Sequence, residues 1–111
     1  MFTPEIIQRN LSPLHKKVLR EYSFSTEKKS AQCGDKIELF IKVENGLIVD
    51  AGYTGEGCAI SQASTDLMID QIIGSTILDV SKMIEKAQEK YRYEKRSSCY
   101  LLGWEALKKI I

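Results

Sequence analysis

Apolar and polar residues alternate most regularly over residues 36–43, where every second position is apolar. A period of two is typical of a strand that buries one face. Residues 44–46, Glu-Asn-Gly, form a turn sequence, and a second, looser alternation follows over residues 47–54. We therefore predict an antiparallel hairpin, whose first strand buries Ile37, Leu39, Ile41 and Val43.

The register of this hairpin depends on how many residues form its turn. A two-residue turn at residues 45–46 would set Ile41 opposite Asp50, which puts an aspartate on the apolar face. A three-residue turn over residues 44–46 sets Ile41 opposite Val49 instead, so that both apolar sets share one face. We therefore predict the longer turn, which pairs Val43 with Leu47, Leu39 with Ala51, Ile37 with Tyr53, Asp35 with Gly55 and Cys33 with Gly57.

The rest of the chain predicts one more strand and four helices. Tyr22 and Phe24 alternate with serines and favour a short strand, whereas the polar residues 26–32 favour a loop. Capping residues and apolar spacing predict helices that begin at Thr3-Pro4, after Cys58 (ending at Gly74), at Thr76 and at Ser97-Ser98. The expected fold class is α+β: a small three-stranded antiparallel sheet with helices packed mainly on one face.

Two of the three cysteines, Cys58 and Cys99, stand at predicted helix N-termini, where the helix dipole and free N–H groups favour a thiolate. The predicted hairpin brings Cys33 and Asp35 to the end of the sheet where Cys58 follows. Both share the parity of the core-facing positions, so their side chains should point toward the helices. Three thiols and one carboxylate could then form a four-ligand site for Zn²⁺ or an iron–sulfur cluster.

A second interpretation of the cysteines remains open at this point. A buried cysteine often serves as a small hydrophobic residue. The chain also has no Cys-x-x-Cys pair whose spacing would be diagnostic of a metal site. Because the number of cysteines is odd, a disulfide framework is not expected. A metal or redox site fits three thiols in so short a chain better.

Length and charge narrow the function classes. One hundred and eleven residues predict one domain, residues 1–111. The net charge of +1 gives no basic footprint for nucleic acid. No apolar run reaches membrane-spanning length, and residues 1–5 lack the basic-then-apolar layout of a signal peptide. We therefore expect a cytoplasmic protein without a nucleic-acid or membrane partner.

The single histidine, His15, would be needed for a cysteine hydrolase or transferase that uses a Cys–His pair. It lies in a basic, polar stretch outside the elements that position the cysteines, so we expect a solvated surface residue. We likewise expect the charged and aromatic residues 91–96 to form a solvated helix end and loop rather than a binding patch.

Three short motifs contain the cysteines: Cys33-Gly34-Asp35 before a strand, Gly57-Cys58-Ala59-Ile60-Ser61-x-Ala63-Ser64 before a helix, and Cys99 before the last helix. In this order, over residues 30–110, they resemble the iron–sulfur scaffold family of IscU, SufU and the N-terminal domain of NifU. The tail Arg96-x-x-Cys99-x-x-Leu102-x-Trp104 is most similar to SufU. The resemblance implies that the metal or cluster ligands are Cys33, Asp35, Cys58 and Cys99.

The chain departs from that family in several places. Ala31-Gln32 stand where the family usually has Asn-Pro, and Ser98 precedes the third cysteine where IscU has histidine. The sequence lacks the Leu-Pro-Pro-Val-Lys segment by which IscU is recognised by its chaperones, so dependence on them is not implied. Only forty residues separate Cys58 from Cys99, without the insertion that SufU proteins carry there.

The resemblance implies a scaffold that receives persulfide sulfur from a cysteine desulfurase and serves downstream iron–sulfur acceptor proteins. Such a protein is not an enzyme in its own right, since the desulfurase carries the catalysis. We expect Zn²⁺ in the purified protein, a transient iron–sulfur cluster during assembly, Arg96 as a counter-charge, and Cys33 as sulfur acceptor. Two alternatives remain: a zinc-dependent, SufU-like sulfurtransferase that relays sulfur without building a cluster, and a small α+β interaction domain with buried cysteines.

Overall fold

The computed structural model describes residues 3–30 and 34–111, and within them the chain forms four helices and three strands. In chain order these are α1 (Pro4–Leu11), β1 (Phe24–Lys29), β2 (Lys36–Glu44), β3 (Leu47–Glu56), α2 (Ala59–Ile72), α3 (Ile77–Lys90) and α4 (Ser97–Lys108). The strands form one antiparallel sheet in the order β1-β2-β3, which confirms the predicted α+β class. The longest of these helices have 14 residues, too few to span a lipid bilayer.

The β2–β3 hairpin closes on a two-residue turn, so the predicted three-residue turn is wrong. Asn45 and Gly46 have φ angles of 52° and 77°, and positive φ at both central residues is the signature of a type I′ turn. The turn is flanked by the pair Glu44 and Leu47. An Asn-Gly dipeptide adopts this turn readily, because both residues tolerate positive φ.

A β-bulge at Val49 corrects the phase of β3 after this short turn. Near the turn Val43 pairs with Ile48, whereas beyond the bulge Ile41 pairs with Ala51. One extra residue in β3 therefore returns the strand to the parity that buries its apolar side chains. Ala51 and Tyr53 lie on the buried face of β3, as predicted, but their partners in β2 differ from the predicted ones.

The helices cover the face of the sheet that carries these apolar side chains. Leu47 and Val49, predicted to be buried, are 39% and 41% exposed, because the turn and bulge put Ile48 on the buried face instead. The sheet contributes Ile37, Leu39, Ile41, Ile48, Ala51 and Tyr53 to the core, and the helices contribute Met68, Ile69, Ile72, Val80, Ile84, Ala87, Leu102, Trp104 and Leu107.

The segment between α1 and β1 crosses the opposite face of the sheet. The carbonyl of His15 accepts a hydrogen bond of 3.2 Å from the backbone N–H of Tyr53 at the β3 edge. Further on, Leu19 is buried, and the ring centroid of Tyr22 lies 5.2 Å from that of Phe40. This cover explains why Phe40, the apolar residue on the otherwise polar side of β2, is buried.

Strand β1 begins at Phe24, so the predicted strand residue Tyr22 lies before it, and the strand is longer than its sequence pattern indicates. It continues to Lys29, so the predicted loop is wrong for residues 26–29. These polar residues pair with β2 at an edge of the sheet. Side chains on an edge strand remain near solvent, so the backbone can pair without an apolar alternation.

The helix starts agree with the capping residues in two cases. The side chains of Thr3 and Thr76 accept backbone hydrogen bonds at the first turns of α1 and α3, as predicted. Helix α4 differs, since its N-cap is Arg96 and the two serines lie inside the helix. Of residues 91–96, which we expected to be solvated, residues 92–96 are exposed between α3 and α4. Tyr91 is instead half-buried, and its ring stacks on that of Tyr100 with centroids 4.7 Å apart.

Candidate metal centre

Three potential metal ligands from distant parts of the sequence meet at one end of the sheet. One ligand atom each from Asp35, Cys58 and Cys99 lies within 4.8 Å of the other two. Asp35 directly precedes β2, Cys58 is the N-cap of α2, and Cys99 lies in the first turn of α4. Asp35 and Cys99 are each 2% exposed, whereas Cys58 is partly exposed. The group is therefore accessible on its Cys58 side.

The pairing of β2 with β3 explains the position of the carboxylate. Lys36 pairs with Glu56, so the next residues outward, Asp35 and Gly57, come together. The predicted register instead put Cys33 opposite Gly57 and Asp35 opposite Gly55. The pairing of Asp35 with Gly55 is wrong, because the turn is shorter than predicted and the bulge shifts β3, so that Ile37 pairs with Gly55. The pairing predicted for Cys33 lies outside the described residues.

Hydrogen bonds tie the Asp35 carboxylate to the other members of the group. Oδ1 accepts a bond of 3.1 Å from the backbone N–H of Cys58, and Oδ2 accepts one of 2.7 Å from the Ser61 hydroxyl. The Cys99 thiol donates toward Oδ2 at 3.8 Å. The Cys58 thiol lies 3.4 Å from the Ser61 hydroxyl. One buried carboxylate thus has a thiol on either side.

These contacts keep the Asp35 carboxyl ionised. Burial raises the pKa of Asp35, but the hydrogen bonds from Ser61, from the Cys58 backbone and from both thiols lower it by more. The net pKa of Asp35 lies below its ordinary value of 3.8. The site therefore presents a negative charge to any cation that enters it.

The turn before Cys58 depends on glycine at residue 57. Gly57 has a φ of 116°, in a region that residues with a side chain rarely adopt. Cys58 then has extended backbone angles and makes no cap hydrogen bond with its side chain. Its thiol lies at the N-terminal end of α2, where the helix dipole is positive.

The two cysteine-bearing helix starts are close together because α2 and α4 cross at short range. Gly103 of α4 faces Thr65 of α2, and a Cβ atom on Gly103 would lie 3.0 Å from both Cβ and Cγ2 of that threonine. One turn nearer the site, the Ser64 hydroxyl donates a hydrogen bond of 2.8 Å to the carbonyl of Tyr100. Small residues at the crossing therefore bring the thiols to one place.

The donor set fits zinc and iron–sulfur clusters. Thiolate and carboxylate groups both bind zinc, and thiolates hold clusters. Ligand atoms of one tetrahedral zinc lie about 3.3–3.8 Å apart, given bonds of about 2.0–2.3 Å. The Cys99 sulfur and Asp35 Oδ2 are already 3.8 Å apart. All three ligand atoms lie within 4.8 Å of one another, so a small movement of the side chains would bring them to the spacing of a tetrahedral site.

Cys33, the fourth predicted ligand, lies outside the described residues. Its flanking residues are joined by backbone hydrogen bonds: Gly34 donates to Ser30 at 3.1 Å, and Ser30 donates to Asp35 at 2.7 Å. The roles of Cys33 as ligand and as sulfur acceptor stay predictions. Charge compensation by Arg96, which is exposed at the start of α4, also stays a prediction.

His15 lies away from Cys58. Its Nε2 atom is 2.7 Å from Oδ1 of Asp70, and the side chain is only 18% exposed, so the expected solvated histidine is wrong. Asp70 follows Cys58 by twelve residues, or about 18 Å along α2 at 1.5 Å per residue. The structure therefore does not support a catalytic pair of Cys58 and His15.

Two polar residues of α2 were given no role from the sequence. Ser61 follows Cys58 by three residues, and that spacing puts both on one side of the helix. Asp66 is fully buried and accepts bonds of 2.9 Å from the Tyr53 hydroxyl and from Nη1 of Arg9. The available signal for Asp66 was its spacing of three residues from Ala63 and from Ile69, which puts it on the side of α2 that carries those buried residues.

The sequence matches known proteins over its whole length. Residues 1–111 match the protein family described as NifU-like N terminal domain. The protein of Thermotoga maritima named iron–sulfur cluster assembly scaffold protein IscU is 31% identical, over 100% of this chain and 92% of that protein. The Bacillus subtilis protein named zinc-dependent sulfurtransferase SufU is 30% identical, over 98% of this chain and 88% of that protein.

Solved structures of other proteins share the fold of this chain. A crystal structure from Fervidobacterium islandicum, described as a candidate iron–sulfur cluster assembly scaffold protein for the SUF system, has a TM-score of 0.90 at 28% identity. That match covers 97% of this chain and 94% of the other. A NifU-like N-terminal structure from Brucella abortus, 19% identical over 96% of this chain and 89% of its own, shares the fold with a TM-score of 0.81.

The chain is shorter than its Thermotoga relative over the aligned region. The alignment has 131 positions, which is 20 more than the 111 residues of this chain. About twenty residues of the relative therefore have no counterpart here.

Proposed function

The chain belongs to the NifU-like N-terminal domain family, and from this membership we propose that it is an iron–sulfur cluster assembly scaffold that accepts sulfur from a cysteine desulfurase. The observation that carries the proposal is the meeting of Asp35, Cys58 and Cys99 within 4.8 Å. Two thiols around an ionised carboxylate make a cation site, and the opening beside Cys58 admits sulfur and iron. The partners in this proposal are the desulfurase and downstream iron–sulfur acceptor proteins.

We propose four ligands for the centre: Cys33, Asp35, Cys58 and Cys99. In the purified protein they would hold Zn²⁺, which takes thiolate and carboxylate donors in tetrahedral geometry. During assembly the same residues would hold the iron–sulfur cluster as cargo. The three described ligands fit either group, and Cys33 is separated from Asp35 by one residue.

Asp35 is the ligand that we propose to exchange when the cluster leaves. Carboxylate is a harder donor than thiolate and holds a cluster less firmly. Asp35 also has partners to which it can return, namely the Ser61 hydroxyl and the Cys58 N–H. Replacing Asp35 by alanine should therefore lengthen the lifetime of a bound cluster during transfer to an acceptor protein.

The sulfur step needs one thiolate from this chain. It attacks the outer sulfur of the persulfide on the desulfurase, so that a new S–S bond forms. The S–S bond of the desulfurase persulfide breaks, and the desulfurase cysteine leaves as a thiolate with the electron pair. We propose Cys33 as the attacking residue, since Cys58 and Cys99 are held at helix starts. The sulfur is released from free cysteine on the desulfurase, so this chain is not itself the enzyme.

The test combines metal analysis with cluster assembly. We expect near-stoichiometric metal in protein purified without added iron. With a cysteine desulfurase, cysteine and ferrous iron, we expect visible absorption together with protein-bound iron and sulfide. Cys58→Ser and Cys99→Ser should each lose both properties, whereas Ser97→Ala, a change beside Cys99 in the same helical turn, should retain them. Metal-free wild-type protein that also forms no cluster would contradict the proposal.

A second candidate is a zinc-dependent sulfurtransferase that relays sulfur without building a cluster. It is supported by the 30% identity with a relative of that name over 98% of this chain. Both candidates use the same centre and differ in the fate of the sulfur. Persulfide-loaded protein, given iron and a separate scaffold, would keep sulfide and iron in the first case. In the second case it would pass sulfur to the separate scaffold and bind no iron.

A further inference from the structure

Helix α2 presents a row of polar residues to the N-terminal part of the chain. Gln62, Asp66 and Asp70 are spaced four residues apart and so share one side of the helix. Asp66 accepts backbone hydrogen bonds from Leu14 at 3.2 Å and from His15 at 3.1 Å. The segment that follows α1 is therefore held against α2, and its next residue is Lys16.

Lys16 and Gln62 continue this contact toward the candidate centre. Nζ of Lys16 donates to Oε1 of Gln62 at 2.5 Å, and Nε2 of Gln62 donates to the carbonyl of Gly57 at 3.1 Å. The orientation of the Gln62 amide follows from its partners. An ammonium group can only donate and a backbone carbonyl can only accept, so the amide oxygen must face Lys16.

The peptide unit between Gly57 and Cys58 is consequently held on both sides. Its C=O accepts from Gln62, and its N–H donates to Asp35 at 3.1 Å. Since Gly57 has no side chain to restrict it, this peptide would otherwise rotate with little hindrance. Its orientation decides where the Cys58 thiol points.

We propose that Gln62 is a positioning residue for Cys58 and that Lys16 orients Gln62. Together they fix the Gly57–Cys58 peptide, and they link the N-terminal segment to the centre. The inference rests on the proposed function, because it assigns the two residues to the geometry of the metal site. Residues outside the ligand set that orient a ligand commonly change metal affinity by about 10–100-fold when they are replaced.

Four substitutions separate the two contacts. Gln62→Leu keeps the size and helix preference of the residue but removes the donor to Gly57, so we expect Co²⁺ affinity to fall about tenfold or more. Gln62→Glu keeps an acceptor for Lys16 and faces the Gly57 carbonyl with an oxygen, so it should show the same loss. Lys16→Ala should lower the affinity about two- to fivefold, as expected of an exposed charged contact. Lys16→Arg should restore it.

Lys17→Ala is the matched control, because it removes the same charge from the neighbouring exposed residue, which pairs with Asp50 instead. It should bind Co²⁺ as the wild type does. All variants should keep the unfolding midpoint of the metal-free protein within about 2 °C, since the changes are on the surface. The thiolate-to-cobalt charge-transfer spectrum should change in Gln62→Leu, which a change in general stability would not cause.

Amide hydrogen exchange provides a readout that needs no metal. In metal-free Gln62→Leu we expect the Cys58 N–H to exchange faster than in the wild type, while the amides in the middle of α2 keep their rates. Unchanged Cys58 exchange together with unchanged cobalt affinity would overturn the inference. If wild-type protein bound no cobalt and formed no cluster, the proposed function would fail, and Cys58 exchange would still decide the inference.

Discussion

A Cβ atom at Gly57 would lie 2.6 Å from the carboxyl carbon of Asp35 and 2.9 Å from its Cα. The two residues can therefore be neighbours only because residue 57 has no side chain. Their closeness lets the Asp35 carboxylate reach the Cys58 N–H and the Ser61 hydroxyl at the same time. Gly57 is thus required both for its φ angle and for the space that the carboxylate fills.

Gly57→Ala should damage the centre more than the fold. We expect a loss of about 1–3 kcal/mol from backbone strain, together with displacement of Asp35 and a large loss of zinc affinity. Gly46→Ala is the matched control, since Gly46 also has positive φ but a Cβ atom there would meet nothing within 4 Å. Urea unfolding and zinc titration of both variants test this. Equal zinc affinity in the two variants would contradict it.

The local parts of the fold were predictable because their signals lie within a few residues. Thr3 and Thr76 cap their helices as the sequence indicates. The alternation of positions along β2 correctly predicted that the Asp35 side chain points toward the helices, where it lies beside Cys58. These inferences needed only the geometry of one strand or one helical turn.

The features that failed depend on contacts between distant segments. The turn could have been read from the dipeptide Asn45-Gly46, which favours positive φ at both positions. The bulge at Val49 could not, because it follows from the burial of both Ile48 and Ala51 against the helices. The partners of Asp66 come from α1, from the segment after it and from β3. No spacing rule joins residues that lie on three different elements.

Asp66→Ala should detach the N-terminal segment. Its buried carboxylate accepts from the backbones of Leu14 and His15, from Arg9 and from the Tyr53 hydroxyl, whose pKa is raised by burial and by this bond. Removing it leaves buried donors without an acceptor, so we expect a loss of about 3–5 kcal/mol.

Urea unfolding measures that loss, and limited proteolysis after α1 reports the detachment. Asp70→Ala, on the same side of α2 but 40% exposed, should cost less than about 1 kcal/mol. Protection of residues 12–18 in Asp66→Ala equal to that in the wild type would argue against a fixing role for this carboxylate.

Asp70 should contribute a stability that disappears in acid. The hydrogen bond from Arg9 lowers the pKa of Asp70, burial opposes it, and the contact with His15 lowers it further, to a net value below 3.8. A carboxyl whose pKa is lower in the folded state stabilises the fold above its unfolded pKa and stops doing so as pH falls through the folded pKa. The gap in unfolding free energy between wild type and Asp70→Asn, at most about 1 kcal/mol, should shrink below about pH 4. A gap that widens in acid would show the opposite linkage.

Gly103→Ala tests the crossing of α2 and α4. Alanine gains about 1 kcal/mol over glycine in a helix interior, but overpacking a core costs about 1–3 kcal/mol. The added Cβ atom would meet the hydroxyl of Thr65 as well as two of its carbons at 3.0 Å, so we expect overpacking to prevail. In a Thr65→Ala background the same change should become neutral or stabilising. Additive free energies in this double-mutant cycle would contradict direct packing.

Removal of zinc should lower the thermal stability of the protein and raise its reactivity as a sulfur acceptor. A metal bound only by the folded state, at 100 times its Kd, adds about 2.7 kcal/mol, which corresponds to about 10 °C for a chain of this size. Here zinc would join the residues before β2 to the starts of α2 and α4, so chelation should lower the melting temperature by this amount. Cys99→Ser, which lacks one of the ligands, should show little further change on chelation.

The thiolates bound to zinc are poorer nucleophiles, so sulfur transfer requires one of them to be released. Cys33→Ser should therefore keep the fold but lose persulfide acceptance, as measured by mass spectrometry after incubation with a desulfurase and cysteine. An unchanged melting temperature on chelation, or normal acceptance by Cys33→Ser, would refute the release of Cys33 from zinc and leave the scaffold role intact.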